Sequence, residues 1–187
     1  MFVSEEYLEK YKDEKINLVE CMCECVSKKP NAETGAPKTC IFLSHKHDEL
    51  EILQRVISFF RKKYDADVYI DSEDDGMPPF TCEKTASRLK KKIEDCDVFI
   101  LIATKDAIES KWCNWELGYG DGKKNNSCIA IFPIDQKEYS FLGNEYLRIY
   151  DHIVQERDEQ GEEFFIEKKG TSKRIPLEKW LNGFYGT

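Results

Sequence analysis

No apolar run in the 187 residues approaches the length needed to cross a bilayer. The most apolar stretch, Val98-Phe99-Ile100-Leu101-Ile102, has the length of a buried strand. Positive charge is in deficit: 28 Lys and Arg stand against 36 Asp and Glu, for a net charge of −8. That balance argues against nonspecific nucleic-acid binding, which needs a basic surface, yet allows a small anionic ligand in a locally basic cleft. The start, Met1-Phe2-Val3-Ser4-Glu5-Glu6, lacks the basic and apolar regions of a signal peptide, and residue 2 is not the Gly that myristoylation requires. A cytoplasmic location is the expectation, with neither membrane nor nucleic acid as partner. Internal repeats and low-complexity segments are missing.

Other absences remove whole chemistries. No Gly-rich phosphate loop follows the first apolar strand, so P-loop and Rossmann readings fail. His45 and His47 lack a third clustered ligand, and no metal is expected. Asp71-Ser72-Glu73-Asp74-Asp75-Gly76 matches the first half of a calcium loop, but the twelfth position is Cys82 and Pro78-Pro79 interrupt it. A phosphorylated receiver would need an acceptor Asp after the third strand, which ends Ala103-Thr104. Eight cysteines could suggest a disulfide scaffold. Cys40, Cys96, Cys113 and Cys128 instead sit in expected strands and helices, where reduced, buried thiols are the simpler reading. Cys21, Cys23 and Cys25 have no second short pair and read as thiols on a helix.

What is present is an alternation of elements. Residues 4–27 carry apolar positions at helical spacing (Tyr7, Leu8, Tyr11, Leu18, Val19, Met22, Val26) and read as an amphipathic helix that docks on the domain or on a partner. Residues 1–37 are this helix and a linker, 38–150 the domain proper, and 151–187 an extension that completes it. Strands are expected at Cys40–Leu43, Val68–Ile70, Val98–Ile102 and Cys128–Phe132, the last ended by Pro133. Helices are expected after Asp48, with Glu51 completing a capping box, after Thr81, with Cys82, Ala86, Leu89 and Ile93 facing inward, and from Ser110. Further on, Tyr139–Leu147 reads as a short helix, Leu147–Tyr150 as a fifth strand, His152–Val154 with Glu163–Ile166 as a hairpin, and Pro176–Leu181 as a final helix. The alternation implies a flavodoxin-like three-layer α/β sandwich with a parallel sheet in strand order 2-1-3-4-5. Ligands of such sheets bind at the carboxyl ends of the strands. That rule selects Ser44-His45-Lys46, Asp71 onward, Thr104 onward and Ser110 to Glu116.

Glu116 is the one charged residue on an otherwise apolar, aromatic or small arc: Trp115, Tyr119, Trp112, Glu116, Gly120, Cys113 and Leu117 follow one another around the helix from Ser110. A carboxylate there is unfavourable unless it is paired or faces a cleft. One reading makes it a rim residue held by Arg or Lys. The other makes it a functional acid. A carboxylate among aromatics suits chemistry at a sugar carbon that becomes an oxocarbenium ion, while aromatic faces such as Trp112 suit a base or nicotinamide ring.

These stretches together resemble a Toll/interleukin-1 receptor (TIR) domain, most closely the bacterial stand-alone members. Ile41-Phe42-Leu43-Ser44, Val68-Tyr69-Ile70-Asp71 with its long loop, Val98-Phe99-Ile100-Leu101, and Ser110-Lys111-Trp112-Cys113-Asn114-Trp115-Glu116-Leu117 match the family's successive boxes over about residues 39–135. The resemblance implies an enzyme that cleaves the nicotinamide–ribose bond of NAD⁺, with Glu116 catalytic and no cofactor beyond NAD⁺ as substrate. It places Ser44, His45 and Lys46 in the loop lining the NAD⁺ site, Asp71 to Phe80 in the loop that covers it, and Phe80 as an aromatic stacking on the ligand. The Arg that some members carry after the first strand is missing; Lys46 is the substitute on offer. The family pattern further implies self-association through TIR–TIR contacts, a role in anti-phage defence, and a linear, cyclic or conjugated ADP-ribose product, with the signalling products read by a separate effector. The alternatives are a non-catalytic TIR adaptor and an enzyme like the nucleoside deoxyribosyltransferases; the Trp-Cys-x-x-Glu context disfavours the second.

Overall fold

The computed structural model describes residues 2–12, 38–71, 83–135, 145–159 and 161–185. Cys21, Cys23, Cys25, Thr81, Cys82 and the segment 72–80, including Phe80, lie outside the described residues. Eight strands share one sheet: β1 (Val3–Ser4), β2 (Cys40–Ser44), β3 (Asp67–Tyr69), β4 (Val98–Ala103), β5 (Ile129–Asp135), β6 (Asp151–Asp158), β7 (Gly161–Glu167) and β8 (Arg174–Pro176). Their order is β3-β2-β4-β5-β6-β7-β8, with β1 beside β5. Counted from β2, the first five strands run 2-1-3-4-5, and all of their pairings are parallel. The expected hairpin is present: β6 and β7 are antiparallel, with Ile153 opposite Ile166 and Val154 opposite Phe165.

The strands read as unbroken apolar runs because both faces of the sheet are covered. Ile41 and Leu43, Val98, Ile100 and Ile102, and Ala130, Phe132 and Ile134 point to one layer, with α1 (Glu5–Leu8), α2 (Leu50–Tyr64) and α6 (Leu177–Leu181). The alternate residues Phe42, Phe99, Leu101, Ile129 and Ile131 point to the other, with α3 (Glu83–Asp95), α4 (Lys105–Glu109) and α5 (Lys111–Lys123). α2 buries Leu53, Val56, Ile57 and Phe60 at helical spacing. It ends at Asp65, whose left-handed backbone (φ 50°) returns its N–H to the carbonyl oxygens of Phe60 and Arg61. Among the described residues no helix is long and apolar enough to cross a membrane.

Four expectations need correction. The expected 4–27 helix is, where described, a short strand followed by α1 and a 3₁₀ turn at Glu9–Tyr11. Val3 and Ser4 extend the sheet opposite Ile134 and Asp135, and Ser4 then caps α1 by accepting from the Tyr7 N–H at 3.1 Å. The capping box at Asp48 does not form: the residue before α2 is Glu49, and its carboxylate accepts instead from Thr104 Oγ1 at 2.5 Å. Pro133 does not end its strand. β6 parts from β5 after Ile131–His152 and β1 joins only at Ile134, so Pro133 stands where that flank is open. Residues 145–149 form a 3₁₀ helix rather than a strand. Leu147 and Tyr150 are buried while Arg148 and Ile149 between them are exposed, which is turn spacing and not alternation.

Among the described residues no disulfide joins Cys40, Cys96, Cys113 or Cys128. Cys40 and Cys96 are buried with their sulfur atoms 2.8 Å apart, whereas Cys128 is only half-buried. The chain is continuous in the sheet across residue 150, since β6 pairs in parallel with β5. β6, β7 and β8 therefore build onto the same body as β2 to β5.

The N-terminal segment is part of that body. Val3, Tyr7 and Leu8 are buried in the α2-side core, and Tyr7 packs on Phe59 and Phe164. Arg55 of α2 is buried beneath three carboxylates, Glu5 at 3.2 Å, Glu9 at 2.6 Å and Glu51 at 3.3 Å. Leu8→Ala should therefore destabilise the fold by about 2–5 kcal/mol. Urea unfolding checks this, and a midpoint equal to wild type would show that the segment contributes nothing to the fold.

Candidate active site

The carboxyl ends of β2, β3 and β4 emerge side by side and carry Ser44, Asp71 and Thr104. α5 lies across them. Ser110 starts this helix as expected, its Oγ accepting from the Cys113 N–H at 3.3 Å. Cys113, Glu116, Leu117 and Gly120 form its buried face. Gly120 permits close approach: a Cβ there would lie 3.3 Å from the Phe99 ring of β4. Trp112, Trp115 and Tyr119, expected on the same arc, are partly buried at its border. Their rings stack in a ladder, with centroids 4.9 Å and then 5.9 Å apart.

Glu116 is 1% exposed. Its Oε2 accepts from Ser44 Oγ at 2.5 Å. Its Oε1 is buried with no hydrogen-bond partner among the described residues. Among the described residues no Lys or Arg pairs with it, so the rim ion pair does not form. Burial pushes the Glu116 carboxyl well above the usual range; the nearby Asp71 carboxylate adds to this and the Ser44 hydrogen bond opposes it. Both influences that dominate favour the neutral carboxyl over the carboxylate.

Around this pair the other expected residues separate into two groups. Asp71 is nearly buried. It accepts from Trp112 Nε1 at 3.2 Å and lies 3.4 Å from His47 Nε2 and 3.9 Å from His45 Nδ1. His45 is buried, and its Nδ1 faces the Leu43 carbonyl oxygen at 3.2 Å. A carbonyl only accepts, so Nδ1 carries the proton. Burial lowers the His45 pKa, against the pull of Asp71, and the ring stays neutral. The His45 and His47 rings stack 5.5 Å apart. Ser44, His45, Asp71, Trp112 and Glu116 thus converge. Lys46 does not join them: its Nζ reaches Asp48 at 3.2 Å on the surface.

Three neighbours have partners that their sequence positions do not name. His47 read as a loop residue but faces Asp71. Thr104 Oγ1 both caps α4 by accepting from the Ala107 N–H and donates to Glu49. Its position after β4 marked it, but nothing in the spacing named its partner. Cys113 lies with Sγ 3.2 Å from the His45 carbonyl oxygen. Burial raises its thiol to about 11, which makes it a donor in the wall and not a nucleophile. Among the described residues no group of three His, Cys, Asp or Glu could hold a metal ion.

The protonation of Glu116 has a stability consequence. Above the ordinary carboxyl value of about 4.5 the unfolded chain releases this proton and the folded chain keeps it. Stability therefore declines as pH rises from there toward the raised folded value. Glu116→Gln keeps the shape and removes the decline. The variant should melt at a higher temperature than wild type at pH 8, with a smaller difference at pH 5. A difference that does not widen with pH would mean that Glu116 is not held neutral.

A family model described as TIR domain matches residues 41–163, from β2 into β7. A Bacillus cereus (strain MSX-D12) protein provisionally named 3′ cyclic ADP-D-ribose synthase ThsB′ is 32% identical over 119 residues, which are 61% of this chain and 60% of that protein. A Cytobacillus dafuensis protein provisionally named cyclic ADP-D-ribose synthase TIR2 is 29% identical over 106 residues, 54% of this chain and 28% of its own. The matches thus span less than two thirds of either relative. With more than half its length matched to the family model and the expected strand order in its sheet, the chain belongs to the TIR domain family.

Proposed function

We propose that this protein cleaves the bond between nicotinamide and ribose in NAD⁺, with Glu116 as the catalytic carboxylate, and that it closes the ADP-ribose product into a cyclic signal. The observation that carries this reading is the carboxyl group itself. Glu116 is buried at the ligand edge of the sheet with Ser44 as its one partner among the described residues and Oε1 unpartnered. A structural glutamate has no need of that arrangement, and an adaptor surface could not use it. Support for the product comes from the names of the two relatives, both of which assign cyclic ADP-ribose synthesis.

In the proposed reaction the C1′–N bond breaks and its electron pair leaves with nicotinamide, neutralising the pyridinium. No acid is needed for that departure. The ribose becomes an oxocarbenium ion, which ionised Glu116 stabilises. A hydroxyl or ring nitrogen of the same ADP-ribose then attacks C1′; an attacking hydroxyl loses its proton, and a ring nitrogen leaves the product with the charge or loses a proton if it bears one. Attack by water would give linear ADP-ribose instead. Burial and Asp71 favour the neutral form of Glu116 before substrate arrives, and a cationic nicotinamide beside it favours the ionised form. Ser44 fixes the carboxyl, while Trp112 and, in the covering segment, Phe80 offer faces for the rings. Lys46 remains a candidate contact only if it leaves Asp48.

At 1% exposure Glu116 is out of reach of a substrate. Self-association through TIR–TIR contacts is the proposed source of the rearrangement that exposes it. The setting we propose is cytoplasmic anti-phage defence, the product being read by a separate effector protein.

Incubation with NAD⁺ followed by chromatography and mass spectrometry should release nicotinamide together with a product isomeric with cyclic ADP-ribose. Linear ADP-ribose alone would overturn cyclisation. Glu116→Gln should slow NAD⁺ cleavage by about 10²–10³ while remaining folded; near wild-type turnover in that variant would end the assignment. Specific activity should also fall on dilution. A constant value far below any association midpoint would contradict activation by assembly.

A further inference from the structure

A cavity of about 620 Å³ lies at the opposite edge of the sheet, lined by residues that precede β5, begin β6 and form the β7–β8 turn. These are the amino ends of the parallel strands, whereas Ser44 and Glu116 sit at the carboxyl ends. The two places are therefore separate. The volume lies within the roughly 300–1,000 Å³ typical of small-molecule sites.

The turn Lys168-Lys169-Gly170-Thr171-Ser172-Lys173-Arg174 places four cations within seven residues of a chain whose net charge is −8. Its shape is set by its own hydrogen bonds. The Lys168 N–H donates to the Lys173 carbonyl oxygen at 2.9 Å, and the Thr171 N–H to the Lys168 carbonyl oxygen at 3.1 Å. Thr171 Oγ1 accepts from the Lys173 N–H at 3.1 Å. Gly170 takes the positive φ of 66° that the reversal requires.

The charges of the turn are unevenly compensated. Asp151, 4% exposed, is taken by Lys168 Nζ at 2.7 Å and by the Lys169 N–H at 3.0 Å. Arg174 is taken by Glu167 and Glu156. Lys169 and Lys173 remain, both exposed, and neither makes an ion pair with a described carboxylate. They give the cavity mouth two positive charges that no described carboxylate pairs. Another wall carries Phe184, 60% exposed, held by its N–H on the Lys179 carbonyl oxygen at 3.0 Å. An exposed aromatic ring beside cations fits a ligand with a flat ring at one end and negative charge at the other.

We propose that this cavity binds an organic phosphate of the nucleoside phosphate class, with Lys169 and Lys173 holding the phosphate and Phe184 stacking on the base. The assignment does not depend on the chemistry proposed for Glu116. The probes are ADP and inorganic phosphate, titrated calorimetrically into the full chain at low ionic strength. ADP should bind saturably and at least about tenfold more tightly than phosphate. Binding should weaken at least about tenfold in the Lys169→Ala/Lys173→Ala double variant and in Phe184→Ala, and persist in Lys173→Arg. Glu116→Gln should leave this binding unchanged, which separates it from any ADP bound at the other edge. The lysines are exposed, and an unchanged melting temperature verifies the double variant; Lys169→Gln/Lys173→Gln serves if it does not fold. No saturable ADP binding, equal affinity for ADP and phosphate, or full retention in the double variants would each overturn the proposal.

Discussion

The distance between α5 and β4 sets the geometry of the candidate active site. Gly120 lets the helix settle on the Phe99 ring, where any Cβ would already be at 3.3 Å. One turn earlier the same face carries Glu116, which reaches Ser44 at the end of β2 only because the helix lies this low. Ser110 fixes where the helix begins, and hence which residues occupy that face. β2 and β3 are adjacent and parallel, so Ser44 and Asp71 emerge together beneath Trp112. Packing therefore places a carboxyl group where solvation alone would never put one.

The same edge is closed by the start of the chain. β1 lies along the last residues of β5, beyond the point where β6 has left. Arg55 then ties Glu5 and Glu9 to α2, and α2 begins just after the loop that carries His45 and His47. Glu49 at that beginning reaches across to Thr104 after β4. The N-terminal segment is thus continuous with the framework that holds the loop, through ion pairs and a hydrogen bond as well as apolar packing.

Much of this was legible in the residue pattern. Unbroken apolar runs such as Val98–Ile102 identify strands covered on both faces, and alternation with helical stripes identifies a parallel sheet. The carboxyl-edge rule then selected Ser44, Asp71 and Glu116 without side-chain information. Less legible were features decided by tertiary competition. Ser4 opens a stretch with helical periodicity and Val3 precedes it, but an open flank of β5 recruits both as a strand. Asp48 and Glu51 have capping-box spacing, yet Glu49 takes the position before the helix and bonds Thr104, 55 residues away in sequence. Lys46 stands in the right loop and turns to Asp48. The basic turn at Lys168–Arg174 was hidden by the overall acidity of the chain, because net charge says nothing about where the uncompensated cations gather.

The electrostatics of Glu116 follow from the absence of a cation among its described neighbours. A buried ion pair with Arg or Lys would have held the carboxyl ionised and occupied. Here Asp71 stands nearby instead, and its charge and the loss of solvent both act against ionisation. The hydrogen bond from Ser44 satisfies one oxygen and leaves Oε1 without a partner among the described residues. Such surroundings disfavour anions and favour positive charge beside Asp71. The site around Glu116 and Asp71 is acidic and buried, whereas the cavity at the other edge is lined by Lys168, Lys169, Lys173 and Arg174. The sheet lies between the two places, so carboxyl groups gather at one end of this small acidic domain and cations at the other.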